Sequence, residues 1–121
     1  MLETNLMHMN SAADVNTFIK ENENVMICCG RMGPMCIPVY EVMEDLEDEY
    51  AHVKFADMEF DHLEAGVIKN LPECRTFMSL PFVVYYKDGE LVQATTGIKN
   101  NSEVKTMLDE KFSDRPNALS A

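Results

Sequence analysis

Two short runs of consecutive apolar residues constrain the fold of this chain more than any other feature. They are Val25-Met26-Ile27-Cys28-Cys29 and Phe82-Val83-Val84-Tyr85-Tyr86. Each run is shorter than a buried helix, so both are predicted to be strands. The first contains no polar residue, which is typical of a strand covered on both faces. We therefore expect a sheet with helices on both sides of this central strand.

The segments around these runs alternate strand and helix signals. The predicted strands lie at 4–9, 24–29, 52–58, 82–87 and 91–95. The predicted helices lie at 11–22, between Gly33-Pro34 and Tyr50, at 62–70, and from Asn101 or Ser102 to near Phe112. Residues 113–121 have the polar composition of a flexible C-terminal tail.

Local signals support these helices and the final hairpin. Ser11 is expected to cap the free N–H groups of the first helix. Apolar residues recur at helical spacing in the second helix, at Val39, Met43, Leu46 and Tyr50, and in the third, at Leu63, Val67 and Ile68. Lys87-Asp88-Gly89-Glu90 is a turn between two strands and predicts a β-hairpin.

This order of elements predicts the α/β class. Strands that alternate with helices form right-handed crossovers, so the first three strands are expected to be parallel or nearly so. The prediction is one domain over 1–112, with a central mixed sheet of five strands, or four, and helices on both faces.

Composition limits which partners and which cellular compartment are expected. The chain carries 21 acidic and 10 basic residues and a net charge of −11, which argues against nucleic acid or an anionic membrane surface as partner. A protein or peptide partner is the remaining expectation, and the oligomeric state stays open. No apolar stretch has the length of a membrane span, and the first twenty residues lack a signal-peptide pattern, so we expect a cytoplasmic protein with reduced thiols.

The element order and several short motifs resemble thioredoxin over roughly residues 4–112. The motifs are Gly33-Pro34, Asp48-Glu49-Tyr50, Val53-Lys54-Phe55-Ala56, Leu80-Pro81, Lys87-Asp88-Gly89-Glu90 and Gly97. A few extra residues lie between Asp61 and Pro81. The resemblance implies a thioredoxin fold, in which the bond at Leu80-Pro81 is cis and brings a loop against the active-site turn.

The family's Cys-Gly-Pro-Cys dithiol is missing from the corresponding turn. The matching residues are Met32-Gly33-Pro34-Met35, and a thioether forms neither a thiolate nor a reversible disulfide. Shifting the match by one residue puts Cys36 in the resolving position and Gly33 in place of the nucleophile, so neither match restores a pair.

Three other family residues are also replaced. The buried acid of the central strand falls on or near Met26, the lysine that faces it falls near Asp57, and the aromatic residue before the dithiol is Arg31. Joint loss of thiols, acid and lysine implies that dithiol exchange has stopped.

The first hypothesis is a non-catalytic binding module or chaperone-like adaptor that holds an extended segment of a partner. No catalytic residue, cofactor or metal is expected. The candidate binding residues are Arg31, Met32, Gly33, Pro34, Met35, Leu80 and Pro81.

The second hypothesis is a thiol-disulfide oxidoreductase with displaced cysteines, namely Cys29, Cys36 or Cys74. Cys29 and Cys36 enclose six residues and can close a redox loop if their Cα atoms lie within about 7 Å. Cys74 is a candidate to face Cys36 across the groove. Cys28 and Cys29 are expected on opposite strand faces, which favours two buried, unreactive thiols over a disulfide between them.

Two further interpretations have less support. A metal site built from the four cysteines, with His8, His52 or His62, fits no compact ligand spacing, and the histidines are expected at the surface. Engineered removal of the thiols is another, for which serine or alanine would be the usual choice.

Overall fold

The computed structural model describes residues 2–112. The strands are β1 (Met7–Met9), β2 (Asn24–Gly30), β3 (Lys54–Glu59), β4 (Phe82–Lys87) and β5 (Glu90–Thr96). The helices are α1 (Ala12–Glu21), α2 (Ile37–Leu46), α3 (Gly66–Lys69) and α4 (Asn101–Lys111), with a 3-10 turn at Pro72–Cys74. The predicted tail over 113–121 lies outside the described residues.

All five strands form one mixed sheet, with the order β1-β3-β2-β4-β5. β1 and β2 each pair with β3 in parallel, whereas β4 runs antiparallel to both β2 and β5. The predicted mixed five-stranded α/β sheet is confirmed, and the first of the two apolar runs forms its central strand, β2.

The sheet carries one core layer on each face. Met26 and Cys28 of β2 pack with residues of α2 and α4, while Val25, Ile27 and Cys29 pack with residues of α1 and α3. All seven residues of β2 are buried, as the uninterrupted apolar run predicted. Adjacent Cys28 and Cys29 therefore do lie on opposite faces.

Local hydrogen bonds begin the helices and turn the hairpin. The Asp14 N–H donates to Ser11 Oγ at 2.9 Å, which is the predicted cap of α1. Asn100 and Glu103 form a reciprocal capping box at the start of α4. Asp88 and Gly89 have φ angles of 53° and 84°, the left-handed conformation that a two-residue hairpin turn requires.

Two predicted elements are shorter than expected. The predicted helix over 62–70 is wrong in its first half, because α3 begins at Gly66 and the Leu63 side chain is 99% exposed. His62 Nδ1 accepts the Glu64 N–H at 2.9 Å, and this local turn replaces a first helical turn. β1 begins at Met7 rather than residue 4, because the preceding residues hydrogen-bond to side chains.

α2 ends at Leu46, one turn before the predicted limit. Glu47, Asp48 and Glu49 follow directly, and negative charge is unfavourable at the negative end of a helix dipole. Tyr50 is nevertheless buried, and its hydroxyl donates to Asp109 at 2.7 Å. None of the helices in residues 2–112 has both the length and the apolar composition of a membrane span.

Candidate functional site

The turn between β2 and α2 presents two methionines to solvent. Gly33 O accepts hydrogen bonds from the N–H groups of Cys36 at 3.0 Å and Ile37 at 2.9 Å, which closes the turn just before α2. Met32 and Met35 project outward and are 40% and 41% exposed. Met32 Sδ also accepts the N–H of Glu3 at 3.4 Å, so the N-terminal segment contacts this turn.

A second loop, which precedes β4, lies opposite the turn. Its Leu80-Pro81 peptide bond is cis, the isomer that the resemblance implied. Thr96 Oγ1 donates to Ser79 O, and the Gly97 N–H donates to Pro81 O at 3.1 Å. These bonds to the end of β5 and the residue after it hold the loop in place.

The turn and the loop enclose an open groove of about 370 Å³. The groove is lined by Arg31, Gly33, Pro34, Met35, Cys36, Met78, Ser79 and Leu80. The structure therefore brings most of the candidate binding residues together. Met32 lies beside the groove on the same turn, and buried Pro81 supports its wall without lining it. Met78, which is 96% exposed, is an additional wall residue.

Cys36 is buried at the start of α2, directly before the first helical residue. Its Sγ accepts the Arg31 N–H at 3.3 Å and lies beside the Tyr40 hydroxyl, which has no nitrogen or oxygen partner among the described residues. A Cβ on Gly30 would lie 2.7 Å from both the Cys36 sulfur and the Tyr40 oxygen. Burial raises the pKa of Cys36, and the bonds to Arg31 and Tyr40 offset only part of that rise.

The other thiols are also protonated in the fold at neutral pH. Burial raises the pKa of Cys29 to about 12 and that of Cys74 to about 11, and it raises the pKa of Cys28 well above its ordinary value. All four cysteines are buried and free of disulfides.

No disulfide joins any of the displaced cysteines. Cys36 belongs to the core layer of α2 and α4, whereas Cys29 and Cys74 belong to the layer of α1 and α3. The prediction that Cys74 faces Cys36 across the groove is therefore wrong, because the sheet separates the two. Within residues 2–112, no three histidine, cysteine or acidic side chains converge as metal ligands do.

Arg31 is anchored beside the groove. Its guanidinium forms two hydrogen bonds with the Asp61 carboxylate, at 2.7 and 2.9 Å, and these lower the pKa of Asp61. Arg31 Cζ lies 5.1 Å from the centre of the Phe60 ring, and Lys69 Nζ lies 4.2 Å from the same ring. The family's aromatic position is thus filled by a cation held against an aromatic ring.

Sequence reasoning missed the buried carboxyl of Asp57. Asp57 lies on β3 next to Cys28 of β2, accepts a hydrogen bond from Thr4 Oγ1, and bonds His8 Nδ1 at 2.7 Å. Burial raises the pKa of Asp57, and the bonds to Thr4 and His8 partly counteract it. Asp57 shares a strand face with buried Phe55, and this alternation was the available signal.

Two histidines form hydrogen bonds within the fold, although all three were predicted to be solvent-exposed surface residues. His8 is partly buried against Asp57, and His52 Nε2 lies 3.0 Å from the carbonyl oxygen of Phe112. Two of the three histidines therefore tie elements together rather than face solvent freely.

Comparisons with known proteins identify the architecture. No family model and no curated protein matches the sequence. Among solved structures, thioredoxin from Plasmodium falciparum has a TM-score of 0.73 at 22% identity, over 88% of this chain and 99% of that one. Oxidised mitochondrial thioredoxin 3 from Saccharomyces cerevisiae has a TM-score of 0.73 at 20% identity, over 87% of this chain and 94% of that one.

A mutant thioredoxin from Halobacterium salinarum superposes over the longest span of these three. Its TM-score is 0.75 at 17% identity, and the match covers 96% of this chain and 100% of that one. The agreement of sheet order, two-sided helix layers and these superpositions leads to one conclusion: the chain has the thioredoxin fold.

Proposed function

We propose that this chain is a thioredoxin-fold binding module that holds an extended segment of another polypeptide and performs no dithiol exchange. One observation carries the proposal: of the sulfur-bearing residues that line the groove, Met35 and Met78 are 41% and 96% exposed, whereas Cys36 is 1% exposed. A thioether cannot form the mixed disulfide that exchange requires. Flexible, polarisable thioethers do suit contact with varied apolar side chains.

The loop opposite the turn offers a backbone for an extended ligand. The carbonyls of Ser79 and Pro81 are already used by Thr96 and Gly97. Neither the N–H nor the C=O of Leu80 bonds another described residue. These two groups support main-chain pairing with a segment that lies in the groove.

Charge indicates the chemistry of the partner. With a net charge of −11, the protein attracts basic segments and repels acidic ones during association. We therefore expect a segment that combines apolar side chains with lysine or arginine. Four unpaired thiols suit a reducing compartment, and we place the protein in the cytoplasm.

A fluorescence anisotropy titration tests the binding proposal. The probe is a fluorescein-labelled peptide of alternating leucine and lysine, and its matched control replaces leucine with serine. We expect binding of the leucine peptide only, and the double variant Met35→Gln/Met78→Gln should bind it about tenfold more weakly because apolar contact area is lost. Met7→Gln, an exposed methionine outside the groove, is the control variant. Equal binding of both peptides would count against the proposal.

Insulin-disulfide reduction with dithiothreitol tests the absence of exchange. We expect no acceleration over dithiothreitol alone, while the double variant Met32→Cys/Met35→Cys provides the comparison in which the family motif is restored. The displaced-thiol hypothesis predicts acceleration that disappears in Cys29→Ser, Cys36→Ser or Cys74→Ser. That result would replace the binding module with an oxidoreductase.

A further inference from the structure

We propose that Met32, Met35 and Met78 form an oxidation-responsive modification site, at which hydroperoxide converts the thioethers to sulfoxides and weakens peptide binding in the groove. This inference rests on the proposed function, since the affinity it changes is that of the same groove. The three sulfur atoms belong to the turn before α2 and to the loop before β4, on the two sides of the groove or directly beside it.

The methionines of the site are far more exposed than the cysteines of this protein. The three methionines of the site are at least 40% exposed, whereas each of the four cysteines is at most 2% exposed. Met26, Met43 and Met58 are completely buried. Peroxide arriving from solvent therefore meets thioethers at the groove before it meets any thiol.

Ionisation adds to this selectivity. A thiolate, rather than a protonated thiol, is the form of cysteine that attacks peroxide, and burial keeps all four cysteines protonated near neutral pH. A thioether reacts without losing a proton, so its oxidation does not depend on pKa. The usual order of sulfur reactivity in a thioredoxin-type site is reversed here.

The reaction is a balanced two-electron transfer. A lone pair on the methionine sulfur attacks one peroxide oxygen, and the O–O bond breaks as the S–O bond forms. The displaced hydroxide takes the proton of the transferred OH group and leaves as water. The sulfur is oxidised by two electrons and the peroxide is reduced by two. A thiol-dependent methionine sulfoxide reductase reverses the change, releasing the oxygen as water while two thiols become a disulfide.

A sulfoxide changes the groove because it places a polar S–O group where an apolar side chain is needed. At Met35 and Met78 the new dipole faces the groove and must be desolvated when a leucine side chain binds. At Met32 the sulfur already accepts the Glu3 N–H, and a sulfoxide oxygen is the stronger acceptor. Oxidation there is expected to change how residue 3 is held against the turn.

Met7 provides an internal control. It is 58% exposed, lies on edge strand β1, and lines a different cleft, next to Lys54 and Phe55. Peroxide is expected to oxidise Met7 as well, without any effect on the groove.

The experiment combines site-resolved mass spectrometry with peptide binding. Folded protein is treated with hydrogen peroxide, mapped by proteolysis, and titrated against the labelled leucine-lysine peptide. We expect one added oxygen at Met7, Met32, Met35 and Met78, unmodified cysteines and core methionines, and about tenfold weaker binding. Treatment with methionine sulfoxide reductases A and B is expected to restore the original affinity.

Variants assign the effect to the site. In Met32→Leu/Met35→Leu/Met78→Leu, the ratio of affinities after and before peroxide is expected to be one, because no exposed thioether is left at the groove and the Cys36 thiol is buried. Met7→Leu should keep the full loss. Unchanged affinity in protein whose three groove methionines are fully oxidised would overturn the inference alone, as would a loss that follows cysteine oxidation. Failure of the untreated protein to bind the peptide would instead overturn the proposed function, and the regulation with it.

Discussion

At the scale of single residues, Gly30 marks the tightest approach in the site. A side chain at this position would meet the Cys36 sulfur and the Tyr40 oxygen, both in the buried core. Gly33, three residues later in the turn, has open space where its Cβ would be. The two glycines therefore provide a test position and a control position for the same substitution.

We expect Gly30→Ala to lower the free energy of unfolding by about 1–3 kcal/mol, because the buried neighbours must shift to admit a methyl group. Gly33→Ala is expected to be within about 0.5 kcal/mol of the parent. Urea denaturation followed by circular dichroism measures both. Equal stability of the two variants would show that the turn is not packed as described.

Thiol ionisation gives a second prediction at this scale. The ordinary thiol pKa is 9.0, and in the fold it rises to about 11 at Cys74 and about 12 at Cys29. A raised pKa means that the fold favours the neutral thiol, so the associated stability is complete below pH 9 and is lost as pH rises through 11 and 12. Thiolate absorbance should appear in native protein only above the pH at which it appears in guanidinium.

Reaction with Ellman's reagent at neutral pH offers an independent check. All four thiols are expected to react promptly after denaturation and very slowly before it. One thiol that reacts at the rate of free cysteine in native protein would contradict the burial described here.

At the level of single residues, the sequence correctly predicted the features that follow from the alternation of side chains along a strand. Opposite orientation of Cys28 and Cys29 follows from strand geometry alone. The partners of Asp57 could not be derived in the same way, because Thr4 and His8 come from a distant part of the chain. Only tertiary structure shows that the carboxyl has partners.

At the scale of elements, the C-terminal end of α2 concentrates negative charge. Glu47 lies one turn beyond Glu44 and next to Asp48, and its pKa is raised by partial burial and by both of these acids. The fold therefore disfavours the charged form of Glu47. Asp14 has the opposite setting, in the first turn of α1, where its carboxylate accepts the Asn10 N–H at 2.9 Å.

Glu47→Gln is expected to stabilise the protein by about 0.2–0.5 kcal/mol at pH 7, since it removes like-charge repulsion. Because the folded pKa is raised above the ordinary 4.5, the gain should vanish as pH falls below that value. Asp14→Asn removes the same charge and should destabilise, which controls for net charge. Thermal denaturation at pH 7 and pH 4 measures both. Stabilisation by both variants would indicate a general charge effect instead.

Element boundaries illustrate what periodicity alone can provide. α1 was well predicted because Ser11 caps it with a local hydrogen bond. The start of α4 was predicted at Asn101 or Ser102, and the cap of that helix is the preceding residue, Asn100. The helix at 62–70 was overextended because Leu63 has the right spacing but no core beneath it. Spacing indicates which residues share a face, whereas contact with the sheet decides whether that face is buried.

At the scale of the whole molecule, the excess of acidic residues causes electrostatic repulsion within the folded protein. The net charge is −11, so repulsion among the acidic groups destabilises the compact state, and added salt screens that repulsion. We expect the melting temperature to rise between 10 and 200 mM sodium chloride at pH 7.5. Near the isoelectric point of about 4.5, the same addition should have little effect. A salt response of equal size at both pH values would argue against this explanation.

The global architecture was the most predictable level. Alternating strands and helices followed by a hairpin permit few sheet orders, and the continuous apolar run identified the central strand. The groove was less predictable, because its walls come from the turn before α2 and the loop before β4, which only tertiary structure brings together.

The central position of β2 has a consequence for biosynthesis. During synthesis, residues 24–30 leave the ribosome before either neighbouring strand, because β3 begins only at Lys54 and β4 only at Phe82. During that interval the nascent chain carries an uncharged apolar segment with both hydrogen-bonding edges open, which is the kind of segment that aggregates or recruits chaperones. Cellular yield of this protein is therefore expected to respond to chaperone supply and translation speed.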